Sequence, residues 1–459
     1  MSHIFDRTIL REYDVRGIVG KTLNEEDAYA LGRAYASLAL EEGARSIAVG
    51  RDGRTHSPDL EGELIRGLIE SGLNVLRIGV GPSPMLYFAV ATLGVQGGIQ
   101  VTGSHNPAEY NGFKMLLNGR SVFGAEIQNL GRRAADGEWT DGHGSVEQVE
   151  VLDAYVERLL QGFQGGTFRV GWDAGNGAGG PALEKLIAKL PGEHHAIHTE
   201  VDGSFPNHHP DPTVEANLAD LKALVAEKKL DFGIAFDGDA DRIGAVDAKG
   251  RVVWGDQLLM ILAEPVLKEQ PGATIIADVK ASQILFEHIA KLGGQPLMWK
   301  TGHSLIKSKM KETGAPLAGE MSGHIFFKHR WYGFDDALYA AVRLIEAVAQ
   351  SGKSLTEIMD EMPKSIVTPE LRFPVDESRK FAVISEVLQR LSATGAKVDA
   401  TDGARVMTDD GWWLLRASNT QDVLVARAEA KDDEGMKRLM AQIDEQLAQS
   451  GVERVEASH

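Results

Sequence analysis

The stretch SIAVGRDGR, residues 46–54, reads as a short apolar strand that runs into a polar turn. RVGWDAGNG (169–177) and TIIADVKAS (274–282) repeat that plan. After each turn an amphipathic helix pattern begins, near Pro58, Pro181 and Gln283. Each copy then closes with a second apolar strand feeding a second polar loop: VTGSHNP (101–107), FDGDADR (236–242) and GEMSGH (319–324). The same order in three places predicts three tandem α/β units of one design. Strands alternating with helices predict a mostly parallel sheet in each. In such sheets ligands bind beyond the carboxyl ends of the strands. The three loops are therefore expected to offer a ligand three different chemistries.

The last part of the chain departs from the plan. KSIVTPELRFPVDES (364–378) has two prolines and no helical period, which suits a linker and an entering strand. A helix is expected over Lys380–Thr394, then a strand pair around ARVMTDDGWWLLRAS with a hairpin turn at Asp410-Gly411. The strand DVLVARAEA and a helix from Asp433 to Ser450 complete a small α+β domain. The expected domains are residues 1–149, 150–251, 252–363 and 364–459.

Composition narrows the function. The 459 residues contain no cysteine, which excludes disulfides, thiol catalysis and Cys-ligated metal centres. No apolar run approaches the ~18 residues of a membrane helix, and the N-terminus has no apolar signal core. The expectation is a cytoplasmic protein without a membrane partner. The formal charge of −18 argues against nucleic acid, whose phosphates attract basic surfaces.

Chemistry concentrates in the loops. Asp237, Asp239 and Asp241 stand at alternate positions after an apolar strand. Carboxylates so close repel one another, and a hard divalent cation such as Mg²⁺ relieves the repulsion. An EF-hand would need Gly and Glu where Arg242 and Ala248 stand, so it is excluded. Ser104 sits at a strand end, after Gly103, which is expected to give the tight turn. The surroundings do not match the G-x-S-x-G elbow of hydrolases, because Thr102 and Asn106 replace its glycines. A serine paired with a metal cluster points instead to phosphoryl transfer. Glu320, Ser322 and His324 offer donors and acceptors for sugar hydroxyls, and WKTGHS adds Lys300 and His303. In RASNT (416–420), Arg416 offers a fork for phosphate, and Ser418, Asn419 and Thr420 add donors.

With these loops in view, the chain resembles the α-D-phosphohexomutases, of the bacterial phosphomannomutase/phosphoglucomutase type. REYDVRG, TGSHNPAEYNGFK, DGDADR, WKTGH, GEMSGHIFFKHRWYGFDD and RASNT occur in the family's order. The resemblance implies three related α/β domains with mixed sheets and a C-terminal domain of the TATA-binding-protein-like class, around a central cleft. It implies that Ser104 is the phosphoserine and that its oxygen joins Asp237, Asp239 and Asp241 in holding Mg²⁺. It implies that Glu320 and Ser322 grip the sugar 3- and 4-hydroxyls. Arg416, Ser418, Asn419 and Thr420 would hold the non-reacting phosphate. Tyr13, Arg16, Lys114, Arg242, Lys280, His303 and His324 would line the cleft. Asp422 departs from the family, which often has proline there; a carboxylate beside a phosphate clamp weakens it unless it points away.

The activity implied is reversible exchange between hexose 1-phosphate and hexose 6-phosphate. Phospho-Ser104 gives up its phosphoryl group, and a hexose 1,6-bisphosphate forms and turns around before returning a phosphate. Glucose 1,6-bisphosphate would serve as activator and intermediate. His303, His324 and Lys114 all qualify as the base. The partners expected are small-molecule sugar phosphates, with the chain a monomer or weak dimer. A Mg-dependent phosphatase and a non-catalytic sugar-phosphate binder are the rival functions. TGSHNP, YNGFK and GEMSGH, where glucosamine mutases carry SASHNP, DNGIK and GEQSGH, favour hexoses without nitrogen.

Overall fold

The computed structural model describes residues 2–419 and 421–452. Its first three units share one sheet plan. In the first, Ser46–Arg51 lies between Asn74–Val80 and Gly97–Val101, all parallel, and Gly97–Val101 pairs antiparallel with Tyr110–Leu117. In the second, Phe168–Asp173 lies between parallel strands Gly192–Ile197 and Phe232–Phe236, and the latter pairs antiparallel with Ile243–Asp247. In the third, Thr274–Asp278 lies between Gln295–Trp299 and Leu317–Gly319, and the latter pairs antiparallel with Ile325–Phe327.

Each of the three polar loops is therefore a hairpin link, made where the chain reverses at the antiparallel step. Direct reversal fixes the loop ends a strand spacing apart, so the side chains between them are held on a short, stiff tether. Helices begin where turn residues place them: Ser57–Glu70, Gly180–Ile187 and Gln283–Lys291.

Packing explains two of the glycines. The helices Glu25–Glu41 and Ser57–Glu70 cross so closely that a Cβ on Gly32 would meet the Leu64 carbonyl oxygen at 2.4 Å. One on Gly67 would meet that of Tyr29 at 2.3 Å. A continuous apolar core runs through parts of all three units, from Met85, Leu86 and Phe88 past Trp172 and Phe236 to Leu259, Ile275 and Leu338.

The fourth unit is an antiparallel sheet in the order Ile366–Val367, Val423–Ala430, Gly411–Ala417, Ala404–Met407, Lys397–Asp399, with Leu371–Pro374 also on Val423–Ala430. Two helices, Glu377–Thr394 and Asp433–Gln449, cover one face through Val383, Val387, Leu439 and Ile443. The first starts before the expected Lys380 because the Asp376 side chain caps it. On the other face Trp412 and Leu414 pack on Val279 of the third unit. Arg405 lies 3.7 Å from the centre of the Trp412 ring and donates to the Val279 and Ala281 carbonyls at 2.6 and 2.8 Å. No helix among the described residues is long and apolar enough to cross a membrane.

Candidate active site

The loop after Gly97–Val101 holds Ser104 at φ +52°, in the left-handed region. This corrects the expectation for Gly103. The backbone turn is made by the serine, and glycine is needed at 103 because a Cβ there would sit 2.4 Å from Arg54 Nε. Buried Arg54 underlies the whole loop. Its guanidinium donates to the carbonyl oxygens of Ser104 (2.9 Å), Asn106 (2.6 Å), Pro107 (2.5 Å) and Tyr110 (3.0 Å). Asp52 accepts from Arg54 Nε at 3.2 Å and from the Gly103 N–H at 3.1 Å. Neither residue was singled out from the sequence. The Asp52-x-Arg54 pair directly after a strand was the available signal.

Ser104 Oγ lies 3.3 Å from Asp237 Oδ2 and 3.3 Å from His105 Nδ1. The donor atoms of Asp237, Asp239 and Asp241 all fall within 4.8 Å of one another, and all three residues are buried. The FDGDADR hairpin explains the convergence: Asp237 Oδ1 accepts the N–H groups of Asp241 and Arg242, both at 3.0 Å, which curls the loop on itself. Lys114, from the strand Tyr110–Leu117, reaches Asp239 Oδ2 at 2.6 Å and Asp241 Oδ2 at 2.5 Å. Ser83 also donates to Asp239 Oδ2, at 2.5 Å.

The electrostatics follow from burial and these contacts. Burial, with the charges of Asp241 and Asp239 alongside, pushes Asp237 well above the usual carboxylate range. Burial would raise Asp239 too, but Lys114 holds it below that range. Burial opposes the charge on Lys114, yet Asp239 and Asp241 hold it well above the ordinary lysine value. Asp239 Oδ1 and Asp241 Oδ1 are buried and have no hydrogen-bond donor among the described residues. Orphaned carboxylate oxygens in an all-oxygen cluster fit a hard divalent cation.

The third unit's loop meets the second's. Arg242 and His324 form an isolated antiparallel bridge, and Arg242 Nε donates to His324 Nε2 at 3.0 Å. His324 Nδ1 lies 3.0 Å from Asp335 Oδ2, and Lys307 reaches Asp335 Oδ1 at 3.2 Å. The His303 ring stacks on His324 with centroids 5.7 Å apart. Burial pushes His303 well below the usual imidazole value, and its Nδ1 has no hydrogen-bond partner among the described residues. His105 is lowered in the same way, first by burial and then by Arg242. Glu320 accepts the Gly302 N–H at 3.0 Å and the Ser322 hydroxyl at 3.1 Å, which fixes the carboxylate. Lys300 is exposed.

Tyr13 ties three units together. Its hydroxyl donates to the Thr301 carbonyl at 2.8 Å and accepts from Asn419 Nδ2 at 2.6 Å. Arg16 donates to Asn106 Oδ1 at 2.6 Å and pairs with Asp14. Arg416 Nε donates to Asp402 Oδ2 at 3.0 Å, and the same oxygen accepts the Thr301 N–H at 3.0 Å. Lys280 pairs with Glu370 at 3.1 Å. The Ser418 hydroxyl accepts the Gln421 N–H at 3.2 Å, while Thr420 lies outside the described residues. Asp422 is exposed. The partners Asp335, Asp402 and Glu370 were not foreseen: Asp335 and Asp402 reach His324 and Arg416 across a neighbouring strand, and Glu370 lies ninety residues from Lys280.

Comparison with known proteins bears on this arrangement. Residues 7–140, 153–250 and 254–366 match the phosphoglucomutase/phosphomannomutase alpha/beta/alpha domains I, II and III, and 370–446 match the C-terminal domain of the same family. The chain is 46% identical over 442 residues to a phosphomannomutase/phosphoglucomutase of Pseudomonas aeruginosa, covering 96% of this chain and 95% of that protein. It is 45% identical to a phosphoglucomutase of Neisseria gonorrhoeae, covering 94% and 95%. A crystal structure of a phosphoglucomutase/phosphomannomutase family protein from Burkholderia thailandensis superposes with a TM-score of 0.92 at 42% identity, covering 98% of each chain. With all four domains matched in order and the loops brought together in space, the chain belongs to the phosphoglucomutase/phosphomannomutase family of α-D-phosphohexomutases.

Proposed function

We propose that the chain reversibly interconverts hexose 1-phosphate and hexose 6-phosphate, with glucose and mannose as the sugars, by exchanging a phosphoryl group with Ser104. The observation that carries this reading is the approach of Ser104 Oγ to Asp237 Oδ2 at 3.3 Å, across two units of the fold. The names of the bacterial relatives support it.

Phosphorylated Ser104 gives its phosphoryl group to the free hydroxyl of the bound sugar phosphate. The P–O bond to the serine breaks, a P–O bond to the sugar forms, and the hydroxyl proton passes to a base. The product, a hexose 1,6-bisphosphate, turns around and returns its other phosphate to Ser104. Asp237, Asp239 and Asp241, with a phosphoserine oxygen, would hold Mg²⁺, which when bound offsets charge on the transferring group. Lys114 supplies positive charge to the same place from the chain itself.

Geometry favours His303 as the base. His324 Nε2 is engaged by Arg242, and Lys114 Nζ is engaged by two carboxylates, whereas His303 Nδ1 has no partner among the described residues. Arg16 and Arg242 place cations toward the phosphoryl group. Glu320 and Ser322 would read the sugar hydroxyls, with Tyr13, Lys280 and His324 beside them. Arg416, Ser418, Asn419 and Thr420 would hold the non-reacting phosphate. Phosphorylated hexoses carry charge that keeps them in the compartment where they are made, which supports a cytoplasmic enzyme, and we read it as a monomer or weak dimer. A coupled assay of mannose 1-phosphate, glucose 1-phosphate and glucosamine 1-phosphate side by side tests the function: turnover of the first two and little of the third is expected. Release of inorganic phosphate without isomer formation would make the chain a phosphatase.

A further inference from the structure

We infer that Asp173, His198 and His208 form a second cation site, suited to a borderline divalent ion such as Zn²⁺ and separate from the Asp237–Asp239–Asp241 cluster. One ligand atom from each residue lies within 4.8 Å of the other two. Donors at about 2.0–2.1 Å from a tetrahedral zinc stand about 3.4 Å apart, so closing on an ion needs side-chain shifts of roughly an ångström. Two imidazoles and one carboxylate suit Zn²⁺ better than Mg²⁺, which demands oxygen.

The fold aims these groups. Asp173 ends the strand Phe168–Asp173, and His198 directly follows the parallel neighbour Gly192–Ile197, so both sit on one edge of the second sheet. His208 comes from the loop that returns across that edge. Each ligand also has an outer partner. His208 Nδ1 lies 3.0 Å from the His209 carbonyl oxygen and Nε2 lies 2.9 Å from Asp173 Oδ2; with the Nδ1 proton on that carbonyl, an ion would take the place of the Nε2 proton. Asp173 Oδ1 accepts the Gly175 N–H at 2.9 Å, leaving Oδ2 for the site. His198 Nε2 lies 3.1 Å from Asp220 Oδ2. Backbone and carboxylate partners of this kind fix the rings of metal-binding histidines. The side chains of His198 and His208 keep 17% and 15% of their surface exposed, so an ion can enter from solvent.

The position has a consequence for the nucleophile. The segment between His198 and His208 carries Phe205, whose ring centre lies 5.0 Å from the Arg54 guanidinium carbon. Arg54 in turn holds the Ser104 carbonyl. An ion on the two histidines would brace the segment that backs the nucleophile's support.

The test is equilibrium dialysis of the full chain against Zn²⁺, with elemental analysis, in a large excess of Mg²⁺ to occupy the acidic cluster. Co²⁺ in place of Zn²⁺ adds a visible spectrum that reports the ligand field. The expected result is one retained equivalent of Zn²⁺ per chain. Its affinity should fall at least tenfold in His208→Ala and in His198→Gln and stay unchanged in Asp239→Asn. Circular dichroism checks that each variant is folded; if His208→Ala is not, the partly exposed His198→Gln decides. No retained equivalent, or retention indifferent to the histidine variants, would overturn the inference and leave two ion pairs that merely pin the loop. An equivalent lost in Asp239→Asn but kept in His198→Gln would assign the ion to the acidic cluster and overturn it equally.

Discussion

The hydroxyl of Ser104 and the carboxylate of Asp237 belong to different units of the fold, yet Ser104 Oγ and Asp237 Oδ2 stand 3.3 Å apart. Each side chain sits in a hairpin link at the same place in its own copy of the repeat. A duplicated unit thus brings a serine hydroxyl and a cluster of three carboxylates together, and neither loop alone assembles them.

Metal removal should abolish turnover. Excess EDTA is expected to stop the reaction and added Mg²⁺ to restore it, and Asp239→Asn should reproduce part of the chelation effect. The orphaned oxygens of Asp239 and Asp241 are the basis. Full activity in EDTA, with no metal found by elemental analysis, would contradict it.

Arg416→Ala should weaken every sugar phosphate by a similar factor. The phosphate it would grip is common to all substrates and to both orientations of the intermediate. A charge-assisted hydrogen bond is worth about 1.5–3 kcal/mol, so binding should fall roughly ten- to a hundred-fold. Inhibition constants for the glucose and mannose phosphates measure this, and loss confined to one sugar would show that Arg416 reads the ring.

Glucose and mannose phosphates should be accepted alike. They differ only at carbon 2, whereas Glu320 and Ser322 are assigned to hydroxyls 3 and 4, which both sugars share. Strong rejection needs a buried polar partner left unpaired by the wrong sugar. We expect kcat/KM for the two 1-phosphates to agree within about a hundred-fold, or about 3 kcal/mol. A preference beyond about a thousand-fold would mean that another residue reads carbon 2.

Acid should loosen the join between the third and fourth units. Lys280, 3.1 Å away, lowers Glu370 from 4.5 to about 2. A depressed carboxylate contributes stability above its unfolded value and loses it as pH falls toward the folded value. The Glu370 side chain is 28% exposed, so screening leaves on the order of 2 kcal/mol. Melting temperatures of wild type and Glu370→Gln should differ at neutral pH and converge between about pH 4.5 and 2. A constant difference across that range would remove this ion pair from the account.

The repeat was legible because its signals are local: apolar strands, the polar loop after each, and the spacing of three aspartates within one hairpin. Ser104, Lys114 and the Asp cluster could be found that way, since each stands in a recognisable string. Arg54 could not. It lies fifty residues before the loop it holds, and no periodicity links an arginine after one strand to carbonyls after another. Asp335 beneath His324 and Asp402 behind Arg416 are nearer in the chain, but each reaches its partner only across a neighbouring antiparallel strand of its own unit, a pairing that no local string announces. Gly103 was misread for a related reason: a glycine before a serine signals a turn, but the demand on it comes from a guanidinium folded in from elsewhere.

The most direct test of the phosphoserine account is intact-mass measurement and peptide mapping after incubation with glucose 1,6-bisphosphate, paired with the turnover of Ser104→Ala. The account predicts a gain of one phosphate on the peptide carrying Ser104, and no gain with turnover lower by several orders of magnitude in the variant. Phosphate on another residue, or more than about a tenth of wild-type activity in a folded Ser104→Ala protein, would contradict it.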